Sequence, residues 1–233
     1  MTRLHTLVFV HLFDLLLPPR CGGCRSVGSW LCERCRARIR RLEEPLCRRC
    51  GVELQSAQRE CGCRARLKSL TRLRSAVAYE GPVEPAVHRF KYEGWRRMAG
   101  PLALLISERL AIEGVAARWV VAVPLHPQRL RQRGFNQADL LAGELRKRLA
   151  LASPPGVLVR TRPTPPQVGH DRKRRFENVL GAFTWRGGGL QGESILLIDD
   201  VATTGATLDA CASALRAAGS GPVTGASVAR VNV

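Results

Sequence analysis

The sequence lacks an apolar run of bilayer-spanning length near its N-terminus, where the one apolar stretch covers residues 4–17. A spanning helix needs about 20 apolar residues, and this stretch is shorter and contains His5, His11 and Asp14. It also lacks the small-residue cleavage site of an export signal. Its apolar residues recur at helical spacing up to Pro18, so we expect an amphipathic helix that packs on the protein, with membrane contact as the alternative. These absences predict a cytoplasmic protein without stable membrane insertion.

Acidic residues are scarce: the chain has 19 aspartates and glutamates against 37 lysines and arginines, which gives a formal net charge of +18. Nearly all of the positive charge comes from arginine. Such a chain attracts polyanionic partners, either nucleic acid or phosphorylated ligands. A GC-rich genome also favours arginine, so composition by itself leaves that alternative open.

Core-forming residues are few between Cys21 and Cys63, although this segment holds eight of the nine cysteines. Without an export signal the thiols are expected to stay reduced, which disfavours disulfides. Cysteines two residues apart form knuckles whose sulfurs point at one metal ion, and two knuckles complete a tetrahedral zinc site. We therefore predict that zinc, rather than an apolar core, stabilises this segment.

Sequential pairing of these cysteines gives two predicted zinc sites. The first comprises Cys21, Cys24, Cys32 and Cys35, and the second comprises Cys47, Cys50, Cys61 and Cys63. The first has regular spacing. The second is irregular because a single residue separates its last pair, so weaker zinc binding or none is the alternative there. The length of 233 residues allows a cysteine-rich module at residues 1–70 and a second domain at residues 71–233.

The stretch that organises the second domain covers residues 194–208. Four apolar residues at 195–198 suit a parallel strand that is buried on both faces. Two adjacent aspartates follow, and then a loop of small and hydroxyl-bearing residues opens onto a helix. Helix N-termini bind phosphate, and open α/β sheets bind ligands at the carboxyl ends of their strands.

We expect this stretch to bind a phosphorylated sugar. The loop suits the phosphate, whereas the acids are placed to accept hydrogen bonds from sugar hydroxyls or to lie near Mg²⁺. The alternative is a plain strand-to-helix turn that carries two acids. The predicted site comprises Asp199, Asp200, Ala202, Thr203, Thr204, Gly205, Ala206 and Thr207.

Residues 195–207 resemble the phosphoribosyl pyrophosphate (PRPP) signature of type I phosphoribosyltransferases. The resemblance implies that PRPP binds there with Mg²⁺, that the acid pair contacts the ribose hydroxyls, and that the loop holds the 5′-phosphate. It does not by itself imply catalysis, since no segment that would bind an acceptor nucleobase is recognisable.

A second apolar run covers residues 119–123 and is ended by Pro124 and Pro127. A basic run follows. The run contains Arg129, Arg131 and Arg133. In a phosphoribosyltransferase this loop would meet the pyrophosphate. Asn136 is predicted to cap the next helix, and three arginines just before a helix start oppose its dipole, a conflict that an anion would resolve. His126 is expected to pack or to form hydrogen bonds rather than to catalyse.

A long polar segment at residues 161–176 bears several prolines and ends in a basic cluster that includes Arg174 and Arg175. Its length suits a mobile lid. Closure over PRPP would exclude water and supply positive charge as pyrophosphate leaves. The alternative is an exposed basic loop that contacts single-stranded nucleic acid, and the sequence leaves both open.

The motifs at residues 123–137, 164–167, 174–183 and 199–208, taken together, resemble those of the ComF competence family. The cysteine knuckles and the Leu-Leu-Leu-Pro-Pro-Arg-Cys segment that precedes them match it too, so the resemblance covers nearly the whole chain. It implies a double zinc ribbon on a phosphoribosyltransferase-like domain. It also implies a role in handling incoming single-stranded DNA during natural transformation.

We therefore predict an α/β fold with a mostly parallel twisted sheet of phosphoribosyltransferase type, preceded by a small cysteine-rich zinc ribbon module. The first function hypothesis is a protein that binds PRPP with Mg²⁺ and works on single-stranded DNA. The second is an active phosphoribosyltransferase with an unknown acceptor. The third is an interaction scaffold whose zinc module joins a competence helicase or a recombination mediator.

The rest of the pattern predicts further elements. Strands are expected at residues 75–79, 157–160 and 223–230, and helices at residues 83–90, 101–113 and 208–218. Cys211 is expected to be buried in the last helix. Lys91, Arg96 and Arg97 are expected to be surface charges.

Overall fold

A computed structural model describes residues 18–55, 61–162 and 179–231. The predicted helix at residues 4–17, the basic pair Arg174 and Arg175, and most of the segment at 161–176 lie outside these residues. Within the described ranges, no helix combines the length and the apolar character needed to cross a membrane.

The described residues alternate between strands and helices. The strands are β1 (Arg72–Ala78), β2 (Trp119–Ala122), β3 (Gly156–Arg160), β4 (Phe183–Gly187), β5 (Ile195–Ala202) and β6 (Val223–Arg230). The α-helices are α1 (Glu33–Ala37), α2 (Val83–Tyr92), α3 (Ala99–Ile112), α4 (Pro127–Arg133), α5 (Gln137–Arg148) and α6 (Ala206–Ala217). Short 3₁₀ helices lie at Gly62–Ala65 and Arg96–Met98.

Four strands form a parallel sheet in the order β1-β6-β5-β2, which confirms the predicted α/β class. The central strand β5 pairs Leu197 with Val121 on one side and with Gly225 on the other. Strand β6 is buried along its whole length because helices or loops cover both of its faces. Continuous apolar strands of this kind are what a doubly covered parallel sheet requires.

Side chains of β5 alternate between two cores, one on each face of the sheet. Leu196 and Ile198 belong to a core with the apolar faces of α2, α3 and α5. Ile195 and Leu197 belong to a second core that contains α6, the β3–β4 ribbon and three cysteines of the second predicted zinc group. The cysteine-rich segment therefore shares a core with the sheet.

Buried polar side chains attach the cysteine-rich segment to the sheet. Arg74 of β1 donates to the carbonyl of Arg48 at 3.0 Å, and Arg230 of β6 donates to the carbonyl of Cys50 at 2.7 Å. Asp209 of α6 accepts from the backbone N–H groups of Ser69 and Leu70, each at 2.9 Å. These contacts hold the second knuckle pair against the carboxyl end of the sheet.

Two elements differ from the sequence predictions. Residues 156–160 do form a strand, but it pairs antiparallel with β4 in a separate ribbon instead of joining the parallel sheet. Residues 127–133 form helix α4 rather than a loop, because Pro127 occupies its first turn and His126 caps it. The His126 Nδ1 accepts from the backbone N–H of Gln128 at 3.3 Å, which is the hydrogen-bonding role expected of this residue.

Candidate functional site

The loop between β5 and α6 lines a cavity at the carboxyl end of the sheet. Gly205 caps α6 with a left-handed backbone (φ +81°), a conformation that side chains disfavour. A Cβ at this position would lie 3.1 Å from Leu73 and 3.2 Å from Leu67, so the close packing also requires glycine. The cavity measures about 210 Å³ and is lined by Lys91, Asp199 and residues 201–208. The N-terminus of α6 therefore faces a space in which an anion fits.

The two aspartates lie inside β5, not after it as the sequence predicted, because β6 pairs with β5 as far as Ala202. Adjacent residues of a strand point to opposite faces. Asp199 lines the cavity, on the face where Cys211 of α6 lies. Asp200 is on the face of α2, where its Oδ1 lies 2.9 Å from the Nζ of Lys91. One acid of the pair therefore faces the cavity, and the other forms an ion pair.

Burial and the neighbouring charge of Asp200 raise the pKa of Asp199 to about 7, although Lys91 and the N–H of Asp200 act in the opposite direction. That N–H donates to the Oδ1 of Asp199 at 2.8 Å. Burial acts to lower the pKa of Lys91, but the charge of Asp200 and their hydrogen bond outweigh it, so the pKa is raised. At neutral pH, Lys91 and Asp200 form an ion pair while Asp199 is close to its titration point.

Lys91 is a site residue that sequence reasoning missed, since it was expected to be a surface charge. It occupies the last turn of α2 with its side chain 19% exposed, and it lines the cavity. One signal was available, because Lys91 is one of four lysines in a chain whose 37 basic residues are otherwise arginine. A single lysine forms no sequence pattern, so the sequence could not predict that Lys91 lies beside Asp200, 109 positions away.

The arginines of α4 do not line this cavity. From the sequence, all three are expected to oppose a helix dipole and to need an anion, and this expectation is wrong in part. Arg131 and Arg133 occupy the last turn of α4, where a helix dipole favours positive charge. Arg133 donates to the Oε1 of Gln137 at 2.7 Å and covers the ring of Tyr92 at 4.9 Å. Arg133 therefore has partners without any anion, and Arg131 lies where the dipole of α4 favours its charge.

Arg129 is the α4 residue with a direct electrostatic link to the site. Burial lowers the pKa of Arg160 at the end of β3, and the nearby charge of Arg129 lowers it further. The charge of Asp199 acts on Arg160 in the opposite direction. Two arginines that repel each other next to the cavity acid form a place where an anion would be stabilised. Arg160 was not predicted, because a strand-end arginine has no distinguishing pattern.

Both predicted cysteine groups have the geometry of a tetrahedral metal site. The four sulfurs of each group lie within 4.8 Å of one another. The Sγ atoms of Cys24 and Cys32 are 3.7 Å apart, and those of Cys47 and Cys63 are 3.6 Å apart. Zinc–sulfur bonds of about 2.3 Å in a tetrahedron separate the sulfurs by about 3.8 Å. The irregular spacing of the second group therefore does not prevent it from assembling.

The surroundings of the second group also suit zinc. Burial opposes ionisation of Cys47, but three backbone N–H groups outweigh it and lower the pKa of this thiol to about 6. Burial raises the pKa of Cys50 to about 11, and the pKa of Cys63 is raised as well. Four thiolates so close together need a dication. Arg230 lies beside them with its Nε buried and without a hydrogen-bond partner in the described part of the chain, which suits a group of net negative charge.

A second cavity of about 270 Å³ joins this cysteine group to the phosphate loop. It is lined by Cys50, Cys61, Gly62, Cys63, Thr203, Thr204, Arg66 and Arg230, together with Val52 and Val231. Thr203 and Thr204 belong to both cavities. One side of the loop is therefore built against the metal site.

Comparison with known proteins gives consistent matches. The double zinc ribbon domain matches residues 12–65. The DNA utilization protein YhgH of Escherichia coli K12 is 32% identical over 208 residues, which cover 83% of this chain and 89% of that protein. Competence protein F of Haemophilus influenzae is 30% identical over 212 residues, covering 86% and 92%. Competence protein ComFC of Bacillus subtilis is 28% identical over 194 residues, covering 79% and 77%. Together with the two cysteine groups, the domain match supports zinc as a cofactor.

Proposed function

Because the chain belongs to the ComF competence family, we propose that it binds PRPP with Mg²⁺ at the β5–α6 loop and supports the handling of single-stranded DNA in natural transformation. The names of the relatives, which refer to DNA utilization and competence, support the DNA part. The observation that carries the ligand part is the cavity in which Asp199 and Lys91 meet the N-terminus of α6.

In this proposal each group of the site has one task. The loop from Ala202 to Thr207 holds the 5′-phosphate through backbone N–H groups and hydroxyls. Asp199 accepts hydrogen bonds from the ribose hydroxyls, or lies next to Mg²⁺. Lys91 holds the side chain of Asp200 in place through their ion pair at 2.9 Å. PRPP matches this set of groups, because its 5′-phosphate needs the loop, its ribose needs an acid and its pyrophosphate needs further cations.

The pyrophosphate part of PRPP needs positive charge beyond the loop. In this proposal Arg160, on which the charge of Asp199 acts, supplies it together with Arg129, whose charge acts on Arg160. Arg174 and Arg175 remain proposed contacts on a segment that closes over the ligand. Arg131 and Arg133, which do not line the cavity, are assigned to nucleic acid instead.

A second candidate is transfer of the phosphoribosyl group, and the cavity beside Thr203, Thr204 and Arg230 favours it because it offers room next to the loop. In that reaction the acceptor bonds to the anomeric carbon while pyrophosphate leaves with its bonding electrons. The charge of Asp199 would stabilise the positive charge that develops on the sugar. Release of pyrophosphate from PRPP, measured across nucleobases and single-stranded DNA as acceptors, tests this candidate.

Isothermal titration of PRPP with Mg²⁺ tests the binding proposal. We expect Asp199→Asn to weaken binding about 10- to 100-fold, the cost of losing hydrogen bonds to a charged acceptor. The exposed Glu193→Gln is the matched control and should bind as the wild type does. Equal heats for wild type and Asp199→Asn would contradict the assignment. The melting temperatures of both variants show whether each one folds as the wild type does.

A further inference from the structure

An aromatic cavity lies apart from the phosphate loop, between the first cysteine group and the segment after α2. It measures about 480 Å³ and is lined by Pro18, Arg20, Trp30, Gly94, Trp95, Arg96 and Arg97. We call it the Trp30–Trp95 cavity. The described residues that line it include two of the four tryptophans of the chain and three arginines, and none of them is acidic.

The two tryptophans are held in a fixed arrangement. Their ring centroids are 6.1 Å apart with an interplanar angle of 81°. The guanidinium of Arg97 lies over Trp30 at 5.9 Å, and that of Arg89 lies over Trp95 at 5.7 Å. Arg89 also donates to the backbone carbonyls of Gly22 and Gly23. Trp95 is therefore tied through Arg89 to the first zinc knuckle, and the cavity exists before any ligand arrives.

A basic path leads from this cavity to helix α4. Arg96 lies over the ring of Phe135 at 4.8 Å, and it donates to the carbonyl of Gly134 at 3.2 Å. Immediately before Gly134, Arg133 covers Tyr92, which is 64% exposed. Arginines therefore lead from the cavity to the exposed ring of Tyr92, while the buried ring of Phe135 holds Arg96 in place. Rings that accept stacked bases beside cations that accept phosphates are the features of a single-strand binding surface.

We propose that the Trp30–Trp95 cavity binds unpaired bases of single-stranded DNA, and that Arg96, Arg97 and Arg133 carry the backbone towards α4. The complementarity is one of chemistry and charge: the cavity offers flat apolar rings to the bases and positive charge to the phosphates. Double-stranded DNA hides its base faces in the stack and gains only the phosphate contacts. The inference rests on the DNA part of the proposed function and gives it a location.

Two DNA strands of equal length test the proposal with the wild-type protein. One is a labelled oligodeoxythymidine, and the other is an abasic strand that keeps the phosphates and lacks the bases. We expect the abasic strand to bind roughly tenfold more weakly or worse, because stacking contributes strongly for each base. Both affinities should fall steeply with salt. Equal affinities, the result if the segment before Pro18 fills the cavity, would overturn the proposal.

Substitutions locate the effect. Trp30→Leu and Trp95→Leu should each weaken oligodeoxythymidine binding roughly tenfold and leave abasic binding unchanged. Trp185→Leu, on the β3–β4 ribbon, is the matched control and should behave as wild type. Zinc content and melting temperature report folding for each variant. Tryptophan variants that bind both strands as the wild type does would overturn the location alone, whereas a wild type that binds no DNA would overturn the DNA part of the proposed function.

Discussion

Two neighbouring aspartates have different tasks because they point to opposite faces of β5. Asp199 lines the cavity, whereas Asp200 is 8% exposed and paired with Lys91. The sequence motif does not distinguish the two acids. The alternation of side chains along a strand determines which carboxylate faces the cavity. The division also explains how two carboxylates are tolerated side by side: one is neutralised by a lysine, and the pKa of the other is raised to about 7.

The Lys91–Asp200 pair should be strongly coupled. Lys91→Met leaves a carboxylate largely buried without its partner, and we expect it to lower the free energy of unfolding by about 3 kcal/mol at pH 7. The double variant Lys91→Met/Asp200→Asn should recover most of that loss, because no charge is left unpaired. Urea denaturation of the four proteins of this cycle measures the coupling.

Lys147→Met is the matched control for that cycle. Its ammonium lies 3.5 Å from Glu144 in an exposed i, i+3 pair, so we expect a change within about 0.5 kcal/mol. If Lys91→Met is as stable as Lys147→Met, the Lys91–Asp200 pair contributes nothing to the free energy of unfolding.

At the scale of elements, the second cysteine group and the β5–α6 loop pack together and share a core and a cavity. Leu67 and Leu73 pack beside Gly205 and belong to the same core as Cys47, Cys50 and Cys63. Thr203 and Thr204 line a cavity with the cysteines. Loss of zinc from this group should therefore deform the loop, although none of the eight predicted zinc ligands lines the cavity beside Asp199.

Single cysteine substitutions test this coupling. Cys63→Ser should lose the second zinc ion and bind PRPP about tenfold more weakly, a change of about 1.4 kcal/mol. Cys24→Ser removes a ligand from the first group, whose residues do not line either loop cavity, and should keep its PRPP affinity. Zinc analysis and titration of PRPP measure the two effects. Identical PRPP affinity in both variants would mean that the ribbon and the loop are independent.

Elements with a regular pattern were predicted well. Strand β6 begins and ends as expected, Asn136 caps α5 by accepting from Ala138 at 3.2 Å, and Cys211 is fully buried in α6. The two errors have different causes. The length of β5 is set by its pairing with β6 across the sheet, which overrides the local pattern. Helix α4 begins at local signals, the cap His126 and Pro127, which were interpreted as a break before a loop.

The candidate site was predicted in its continuous part only. The loop and the acids lie in one stretch, so their sequence pattern was sufficient. Lys91, Arg160 and Arg230 come from other elements and converge on the site through the parallel topology of the sheet. The Trp30–Trp95 cavity likewise joins residues from two segments that have no shared motif. A single sequence carries no signal for such convergence.

At the scale of the whole molecule, a chain with a net charge of +18 has two separate groups of arginines at the two proposed binding sites. The arginines near Asp199 lie at the carboxyl end of the sheet, and those around the two tryptophans lie beside the first cysteine group. Each zinc group borders one of these surfaces. The zinc module therefore supports both proposed binding sites and is not an appendage of the sheet.

The pH dependence of PRPP binding tests the central claim, that the carboxylate of Asp199 contacts the ribose of a ligand held by the β5–α6 loop. The pKa of Asp199 is raised to about 7, so protonation competes with binding as the pH falls below this value. Phosphate groups of the ligand also titrate, near pH 6. The pH dependence of PRPP binding by Asp199→Asn measures this contribution of the ligand alone. We predict that wild-type affinity falls more steeply than that of the variant, by up to about tenfold per pH unit below pH 7. Parallel curves for the two proteins would contradict the account.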